Sequence, residues 1–203
     1  MKRILLVTDG FFHPPLLGRL TLHRILRQLN GFSFEHIRTL EQVSADVDNF
    51  SALVLHYHHA RISPAALAQL DGYVKNGGGI LAIHAVTASF KETLPYFDIL
   101  GGRFIGHGKV EKFEVRQVKN EVFGAIGNFC VLDELYIHEL NPGIDVHFTA
   151  EHEGQDVPVV WTYRYGKGRV CYGVPGHNSA TMSNPIYQKI LLCGLKWVTE
   201  CIK

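Results

Sequence analysis

Short apolar segments alternate with amphipathic ones along the first 85 residues, and this alternation predicts an α/β fold. Residues 3–8 form an apolar run that Asp9 and Gly10 end, which is typical of a buried strand that enters a loop. Residues 14–30 then place leucines and isoleucines at helical spacing, with two prolines at the start and an Asn-Gly stop signal. The chain therefore begins with a strand followed by a helix.

Three more strands and a second helix complete this pattern. Residues 32–39 alternate weakly as a second strand, residues 51–59 form a third, and residues 79–84 form a fourth. A helix begins after Ser63, its N-cap, and ends at a pair of glycines before the fourth strand. Parallel neighbours need a right-handed crossover. The order therefore predicts a flavodoxin-like, doubly wound, mainly parallel sheet with helices on both faces.

Beyond about residue 108 the pattern changes to strands with little helix between them. Five segments are strand-like, and Tyr165-Gly166-Lys167-Gly168 is typical of a hairpin turn between the last two. Residues 184–201 then carry an apolar stripe at helical spacing. The C-terminal half therefore predicts an antiparallel β extension and a closing helix, within a single domain over residues 1–203.

Composition and charge exclude several classes of function. Apolar residues make up 46% of the chain and charged residues 19%, which is ordinary for a globular protein. The net charge of +1 gives no electrostatic signature of nucleic acid or of an anionic membrane as partner. No apolar run is long enough to span a membrane and no signal peptide is evident, so a cytoplasmic location is expected. The four cysteines share no CxxC spacing and are expected to be free thiols.

Histidines near the ends of predicted strands are the main candidates for chemistry. In an open parallel sheet, ligands bind outside the carboxyl ends of the strands. The loop after the first strand contains His13, and His58 lies at the end of the third. His84 follows the fourth strand, at the strand-to-helix corner where several α/β enzymes hold a nucleophile. His84 is therefore the strongest single candidate.

Later segments add further polar groups. His107 and His177 lie between or beside glycines in predicted turns, which permit a close approach to a ligand. One predicted strand, residues 132–140, places three polar candidates among apolar residues: Asp133, Glu134 and Tyr136. A carboxylate on a buried face needs a partner. A histidine or a metal ion would supply one.

Six short motifs in a fixed order resemble the trehalose-utilisation (ThuA-like) family, which is related in fold to the class I glutamine amidotransferases. The motifs are GGGILAIH, FIGHG, DELY, PVVW, YGKGRV and the Gly-His pair at 176–177, and the match spans nearly the whole chain. The resemblance implies a role in carbohydrate catabolism and a polar cleft formed by residues His84, His107, Glu134, Tyr136 and His177. The first loop, with His13, and Asn178 depart from the family pattern.

These residues predict an enzyme that acts on a sugar or keto-sugar derivative by proton transfer, as an isomerase, lyase or hydrolase. His84 and Glu134 are expected to be its acid and base, because imidazole exchanges protons near neutral pH. Three side chains are expected to orient hydroxyls or stabilise an oxyanion: His107, Tyr136 and His177. Four more are expected to contact the substrate: His13, His58, Asp133 and Asn178. Amidotransferase chemistry is excluded, because a histidine stands where that reaction needs a thiolate.

Two alternatives remain open from the sequence. Imidazoles suit a divalent ion such as zinc, so the first is a metal-dependent hydrolase with three ligands, His84, His107 and His177. The second is a non-catalytic sugar-binding or regulatory module, for which Trp161 and Tyr163 are the candidates for stacking on sugar rings, although their place in a sheet favours a structural role. In each case the expected partner is a small carbohydrate, not nucleic acid or a membrane. Edge strands of the antiparallel extension favour a homo-oligomer.

Overall fold

A computed structural model describes residues 1–10 and 16–200, and in this part of the chain nine strands form one mixed sheet. The strands are β1 (Lys2–Asp9), β2 (Phe32–Ile37), β3 (Ala52–Tyr57), β4 (Gly79–Ile83), β5 (Gly102–Gln117), β6 (Phe129–Leu140), β7 (Asp145–His152), β8 (Gln155–Tyr165) and β9 (Gly168–Gly173). The α-helices are α1 (Leu16–Leu26), α2 (Pro64–Lys75), α3 (Leu94–Leu100), α4 (Ser179–Met182) and α5 (Pro185–Val198). His13, an expected substrate contact, lies outside the described residues.

The sheet has a parallel half and an antiparallel half, in the order β2-β1-β3-β4-β9-β8-β7-β5-β6. Among the described strands, four neighbouring pairs are parallel and four are antiparallel. The sheet is therefore less parallel than the sequence predicts, because the C-terminal strands extend the same sheet. The sequence predicts strand β9 as part of the antiparallel extension. It is antiparallel to β8 and also pairs in parallel with β4, so it joins the two halves.

The central strands are buried along their whole length, as is typical of parallel strands covered on both faces. Every residue of β3 and β4 is buried. Helix α5 packs on β4 and β9, and the close approach depends on Gly194, where a Cβ would lie 2.8 Å from Cys171 Sγ.

None of the described helices is long and apolar enough to cross a membrane.

Two local predictions have different outcomes. Helix α2 begins as the sequence predicts, because the Ser63 side chain accepts a hydrogen bond from the Ala66 N–H and Pro64 is the first helical residue. His107 was expected in a turn, and it lies instead within strand β5. The pairing of β5 with β6 is irregular on both sides of this residue, between Phe104 and Gly106 and again before Val110. Gly106 and Gly108, which flank His107, therefore mark irregular strand pairing and not a turn.

Candidate functional site

The structure brings together the five side chains that the sequence predicts as catalytic, and we refer to them as the histidine–glutamate cluster: His84, His107, Glu134, Tyr136 and His177. Two of them follow strands of the parallel half, His84 after β4 and His177 after β9. The other three are on the β5–β6 pair, where His107 lies opposite Tyr136. The cluster therefore forms where the carboxyl ends of parallel strands meet the antiparallel half.

His84 lies at a sharp corner between β4 and a 3₁₀ turn, His84–Ala88. Its φ of 53° is in the left-handed region, which few residues other than glycine adopt, and such backbone is common at functional sites. The imidazole is fully buried, and its Nδ1 lies 2.8 Å from the carbonyl oxygen of Val174. A carbonyl only accepts hydrogen bonds, so Nδ1 carries a proton and donates. The other nitrogen, Nε2, faces Glu134.

Glu134 is the common neighbour of three imidazoles. Its Oε2 lies 3.2 Å from His177 Nδ1 and 3.6 Å from His84 Nε2, and its Oε1 lies 3.8 Å from His107 Nδ1. The polar contact with His84, together with the charges of His177, His84 and His107, lowers the pKa of Glu134 to about 2 against the opposing effect of desolvation. Glu134 is therefore an anion at neutral pH, and it can accept a proton or bind a cation.

Tyr136 supplies a neutral phenol beside these charged groups. Its ring centroid lies 4.3 Å from that of His84 and 5.4 Å from that of His107. Burial, followed by the negative charges of Glu134 and Asp133, raises the pKa of Tyr136 well above its usual range. The phenol therefore keeps its proton and can donate a hydrogen bond to a developing negative charge.

Asp133 has a different position from the substrate contact that the sequence predicts. Its side chain is fully buried, and its carboxylate accepts hydrogen bonds from the N–H groups of Gly176, His177 and Glu134. The Glu134 N–H belongs to β6, and the other two N–H groups belong to the segment after β9. The carboxylate therefore connects β6 to that segment. A fully buried carboxylate with these partners is not available to a ligand.

Of the other residues expected to contact the substrate, Asn178 has a structural role and His58 lies at the surface. The Asn178 side chain caps helix α4 by accepting from the Thr181 N–H at 2.9 Å and donates to the Leu132 carbonyl, which is a structural role. His58 is exposed at the end of β3, with His84 among its electrostatic neighbours. Trp161, a candidate for sugar stacking, is fully buried, and its Nε1 donates to the Leu100 carbonyl, which is a structural role.

Two buried groups that contact His84 or its neighbours are not selected by the sequence analysis. His56, within β3, places Nε2 3.3 Å from the Gly176 carbonyl oxygen. Tyr172 donates to the His84 carbonyl at 2.8 Å and also contacts Thr87, whose hydroxyl lies 2.9 Å from His138 Nε2. The sequence does offer one signal for His56, because it is a histidine within a strand that is apolar and buried, and a buried polar ring needs a hydrogen-bond partner.

Three residues of the cluster have the spacing of metal ligands. One atom each from His84, Glu134 and His177 lie within 4.8 Å of one another. Tetrahedral zinc, with bonds of about 2.0–2.1 Å, separates its ligand atoms by about 3.3–3.4 Å. The separations from Glu134 Oε2 are 3.2 Å to His177 and 3.6 Å to His84.

His107 was expected as a ligand and does not belong to this group. Its Nδ1 lies 2.7 Å from the Gly108 carbonyl oxygen, so this nitrogen carries a proton and donates. This protonated nitrogen is the one that faces Glu134, and a metal ligand needs a free electron pair on the nitrogen that faces the ion. The structure therefore replaces His107 by Glu134 in the predicted set of ligands.

The lowered pKa of Glu134 predicts a loss of stability in acid. The folded pKa is about 2 and the ordinary value is 4.5, so the stabilisation is complete above about pH 4.5 and disappears as the pH falls towards 2. We expect Glu134→Gln to lower the free energy of unfolding by on the order of 1–3 kcal/mol at pH 6 and by less at pH 3. Urea unfolding of both proteins at the two pH values measures this. An equal difference at both would contradict it.

The fold and the cluster define an α/β protein with a histidine–carboxylate centre at the carboxyl edge of its parallel strands. The chain belongs to the ThuA family, because the family model described as trehalose utilisation matches residues 3–198. No curated protein sequence matches the chain significantly.

Solved structures share this fold at low sequence identity. A ThuA-like protein from Parabacteroides merdae is similar with a TM-score of 0.85 and 19% identity, covering 98% of this chain and 90% of that one. A ThuA-like protein from Bacteroides uniformis has a TM-score of 0.80 and 16% identity, covering 98% and 91%. A cytoplasmic protein from Salmonella typhimurium has a TM-score of 0.70 and 15% identity, covering 98% and 99%.

Proposed function

We propose that this chain is an enzyme of carbohydrate catabolism that acts on a sugar or keto-sugar by proton transfer at the histidine–glutamate cluster. One observation carries the proposal: a single ionised carboxylate, Glu134, lies within 4 Å of three imidazoles. Membership of a family described as trehalose utilisation supports a carbohydrate as the substrate. Groups that donate and accept protons are thus gathered beside one another, as general acid–base catalysis requires.

The proposed roles follow from charge and exposure. Glu134, ionised, is the base, and it removes a proton from a carbon next to the carbonyl of a keto-sugar. Its pKa of about 2 reflects the contact with His84 and the charged imidazoles beside it, and the carboxylate is more basic when those imidazoles are neutral. The phenol of Tyr136 donates a hydrogen bond to the carbonyl oxygen, which gains the negative charge. In an isomerase Glu134 returns the proton to the former carbonyl carbon, while the hydroxyl on the adjacent carbon passes its proton to the former carbonyl oxygen and becomes the new carbonyl. In a lyase the carbonyl re-forms as a substituent on the next carbon leaves with its bonding electrons, and the leaving group takes the proton from Glu134. The side chain of His107 is 41% exposed and that of His177 is 25% exposed, which places these two rings at the substrate side.

A glutamine amidotransferase activity does not fit these residues. Among the cysteines that the structure describes, none follows β4, where His84 stands. Burial raises the pKa of the Cys171 thiol to about 12, so it is not a thiolate at neutral pH. The proposed reaction therefore uses imidazole, carboxylate and phenol groups alone.

We also propose three further properties, which concern the fold of the parallel half, the cellular location and self-association. The order of the parallel strands, β2-β1-β3-β4-β9, supports a flavodoxin-like parallel half. The cytoplasmic protein from Salmonella typhimurium with a similar fold supports a cytoplasmic location. Strand β6 lies at one edge of the sheet, which supports self-association through that edge.

The test is proton exchange on a panel of disaccharides and keto-sugars in D₂O, followed by NMR. Removal of a carbon-bound proton replaces it by deuterium even where no net product accumulates. We expect the signal next to a carbonyl to disappear for at least one keto-sugar with the unmodified protein and to persist with Glu134→Gln. Binding without exchange or turnover across the panel would favour a sugar-binding module instead.

A metal-dependent hydrolase is the second candidate, and it is favoured because one atom each from His84, Glu134 and His177 lie within 4.8 Å of one another. The bond from His84 Nδ1 to the Val174 carbonyl is the kind of outer contact that orients a metal-bound histidine. Three protein ligands would leave a fourth position for the water that attacks the substrate.

Metal binding separates the two candidates. For the metal-dependent hydrolase we expect Zn²⁺ to raise the melting temperature of the unmodified protein, because an ion that binds only the folded state stabilises it. His177→Ala should lose this shift, whereas His107→Ala should keep it, because His107 is not one of the three ligands. Differential scanning fluorimetry and elemental analysis measure both effects. Turnover that disappears with a chelator and returns with metal supports the hydrolase, and turnover that a chelator leaves unchanged supports direct proton transfer.

A further inference from the structure

Gly176 lies between β9 and α4, directly before His177, and its backbone packs against the corner at which His84 stands. A Cβ at this position would lie 2.8 Å from the Cβ of His84 and 2.9 Å from Cγ2 of Ile83. Real Cβ atoms are not found at such distances, so only glycine allows this approach. The position of the segment that carries His177 is therefore coupled sterically to the position of His84.

Both backbone polar groups of Gly176 are bound by fully buried side chains from other strands. The Gly176 N–H donates to Asp133 Oδ2 at 3.1 Å, and the N–H of the next residue, His177, donates to the same carboxylate at 3.2 Å. On the other side, His56 Nε2 lies 3.3 Å from the Gly176 carbonyl oxygen and is its donor. Strands β3 and β6, far apart in the chain, thus bind one peptide segment from two directions.

We propose that His56 and Asp133 are a positioning pair, which fixes Gly176 from both sides and thereby sets the position of His177 relative to His84 and Glu134. The catalytic part of this inference rests on the proposed function, whereas the structural part does not. His177 Nδ1 lies 3.2 Å from Glu134 Oε2, and a shift of about 1 Å in such a contact can lower a rate by about 10²-fold.

His56 itself is unsuited to proton transfer with a substrate. Its ring is fully buried, and burial, followed by the charge of His84, lowers its pKa to about 3. The ring is therefore neutral, with its proton on Nε2, which faces the Gly176 carbonyl. Its Nδ1 has no hydrogen-bond partner among the described residues. The ring is therefore held by the hydrogen bond from Nε2 to the Gly176 carbonyl. Placing a polar ring in this core is unfavourable unless that contact is used.

The test compares two substitutions of His56 with a matched control. His56→Leu removes the donor and leaves an apolar side chain, whereas His56→Gln places an amide N–H near the position of Nε2. The control is His147→Leu, because His147 is also fully buried and its Nε2 lies 2.8 Å from the Thr162 hydroxyl, with Phe123 beside the ring. Each of the three variants removes a buried imidazole, but only His56→Leu leaves the Gly176 carbonyl without a donor.

Hydrogen exchange by NMR and steady-state kinetics provide the readouts. In His56→Leu we expect the amides of Gly176 and His177 to exchange at least about tenfold faster relative to the amides of β1. We expect kcat to fall by about 10- to 100-fold with KM changed by less than about threefold. His56→Gln should restore both quantities, and His147→Leu should change neither. A purely structural role would instead accelerate exchange across the whole core and would not be rescued by glutamine.

Three results would overturn the proposal: unchanged exchange at Gly176 and His177 in His56→Leu, the same acceleration in His56→Gln, or the same local acceleration in His147→Leu. If His56→Leu does not fold, His56→Asn takes its place with the same expectation, because its shorter amide cannot reach the Gly176 carbonyl. The exchange measurement needs no substrate. Absence of turnover in the unmodified protein would therefore count against the proposed function, while the exchange result still decides the positioning role.

Discussion

Replacement of Glu134 by glutamine is expected to lower turnover by about 10²- to 10⁴-fold, the range that one acid–base group contributes. Glutamine has nearly the shape of glutamate but has no charge, and it cannot accept a proton from a substrate carbon. The effect should be large because Glu134 is the residue that all three imidazoles of the cluster approach. We therefore expect the loss in kcat, with the fold retained.

The matched control is Glu139→Gln, on the same strand. Glu139 is exposed and lies opposite Arg103 in the pairing of β5 with β6, away from the imidazoles. It should leave kcat and KM unchanged within about twofold, as is usual for a surface position. Steady-state kinetics on the best substrate of the sugar panel measures both variants. If Glu134→Gln retained more than about a third of the turnover, Glu134 would not be the base.

The sequence predicts that the side chains of the histidine–glutamate cluster lie close together, because this proximity follows from topology. Side chains after parallel strands gather at one edge of the sheet, and this rule selects His84 directly. The strand-to-helix corner at His84 is also predictable, since the glycines and the apolar run before it identify a tight turn. The four N-terminal strands and helix α2 follow from the same local signals.

The parts that the sequence does not predict depend on contacts between distant segments. Local pattern identifies β9 as a strand, but only tertiary pairing places it beside β4. Asp133 and Glu134 are adjacent acids, and nothing local distinguishes the one that binds backbone N–H groups from the one that faces imidazoles. His56 appears in the sequence as one of three histidines near a strand end, and its role depends on a carbonyl 120 residues away.

His84 calls for a different substitution, because alanine would change more than the chemistry of the ring. The imidazole is fully buried and its Nδ1 donates to the Val174 carbonyl. His84→Ala would leave a cavity and a buried acceptor without its donor, and we expect it to lower the free energy of unfolding by about 2–4 kcal/mol. A loss of activity in that variant would therefore not distinguish a catalytic ring from a structural one.

His84→Asn separates these two effects. Asparagine is among the residues that adopt a left-handed φ most readily, which the 53° at this position requires. Its amide nitrogen lies near the position of Nδ1 and can still donate to Val174, but it has no counterpart of Nε2. We expect this variant to be clearly more stable than His84→Ala and to have turnover lowered by about 10²- to 10⁴-fold.

Urea unfolding and kcat, measured for His84→Asn and His84→Ala together, test each half of this argument. Full turnover in His84→Asn would show that Nε2 has no part in the reaction, and Glu134 would then act without His84. Equal stability of the two variants would show that the hydrogen bond to Val174 contributes little to the fold. The expected combination, a stable but inactive His84→Asn, would assign the two nitrogens of one buried ring separate roles: Nδ1 holds the ring against Val174, just after β9, and Nε2 acts through Glu134.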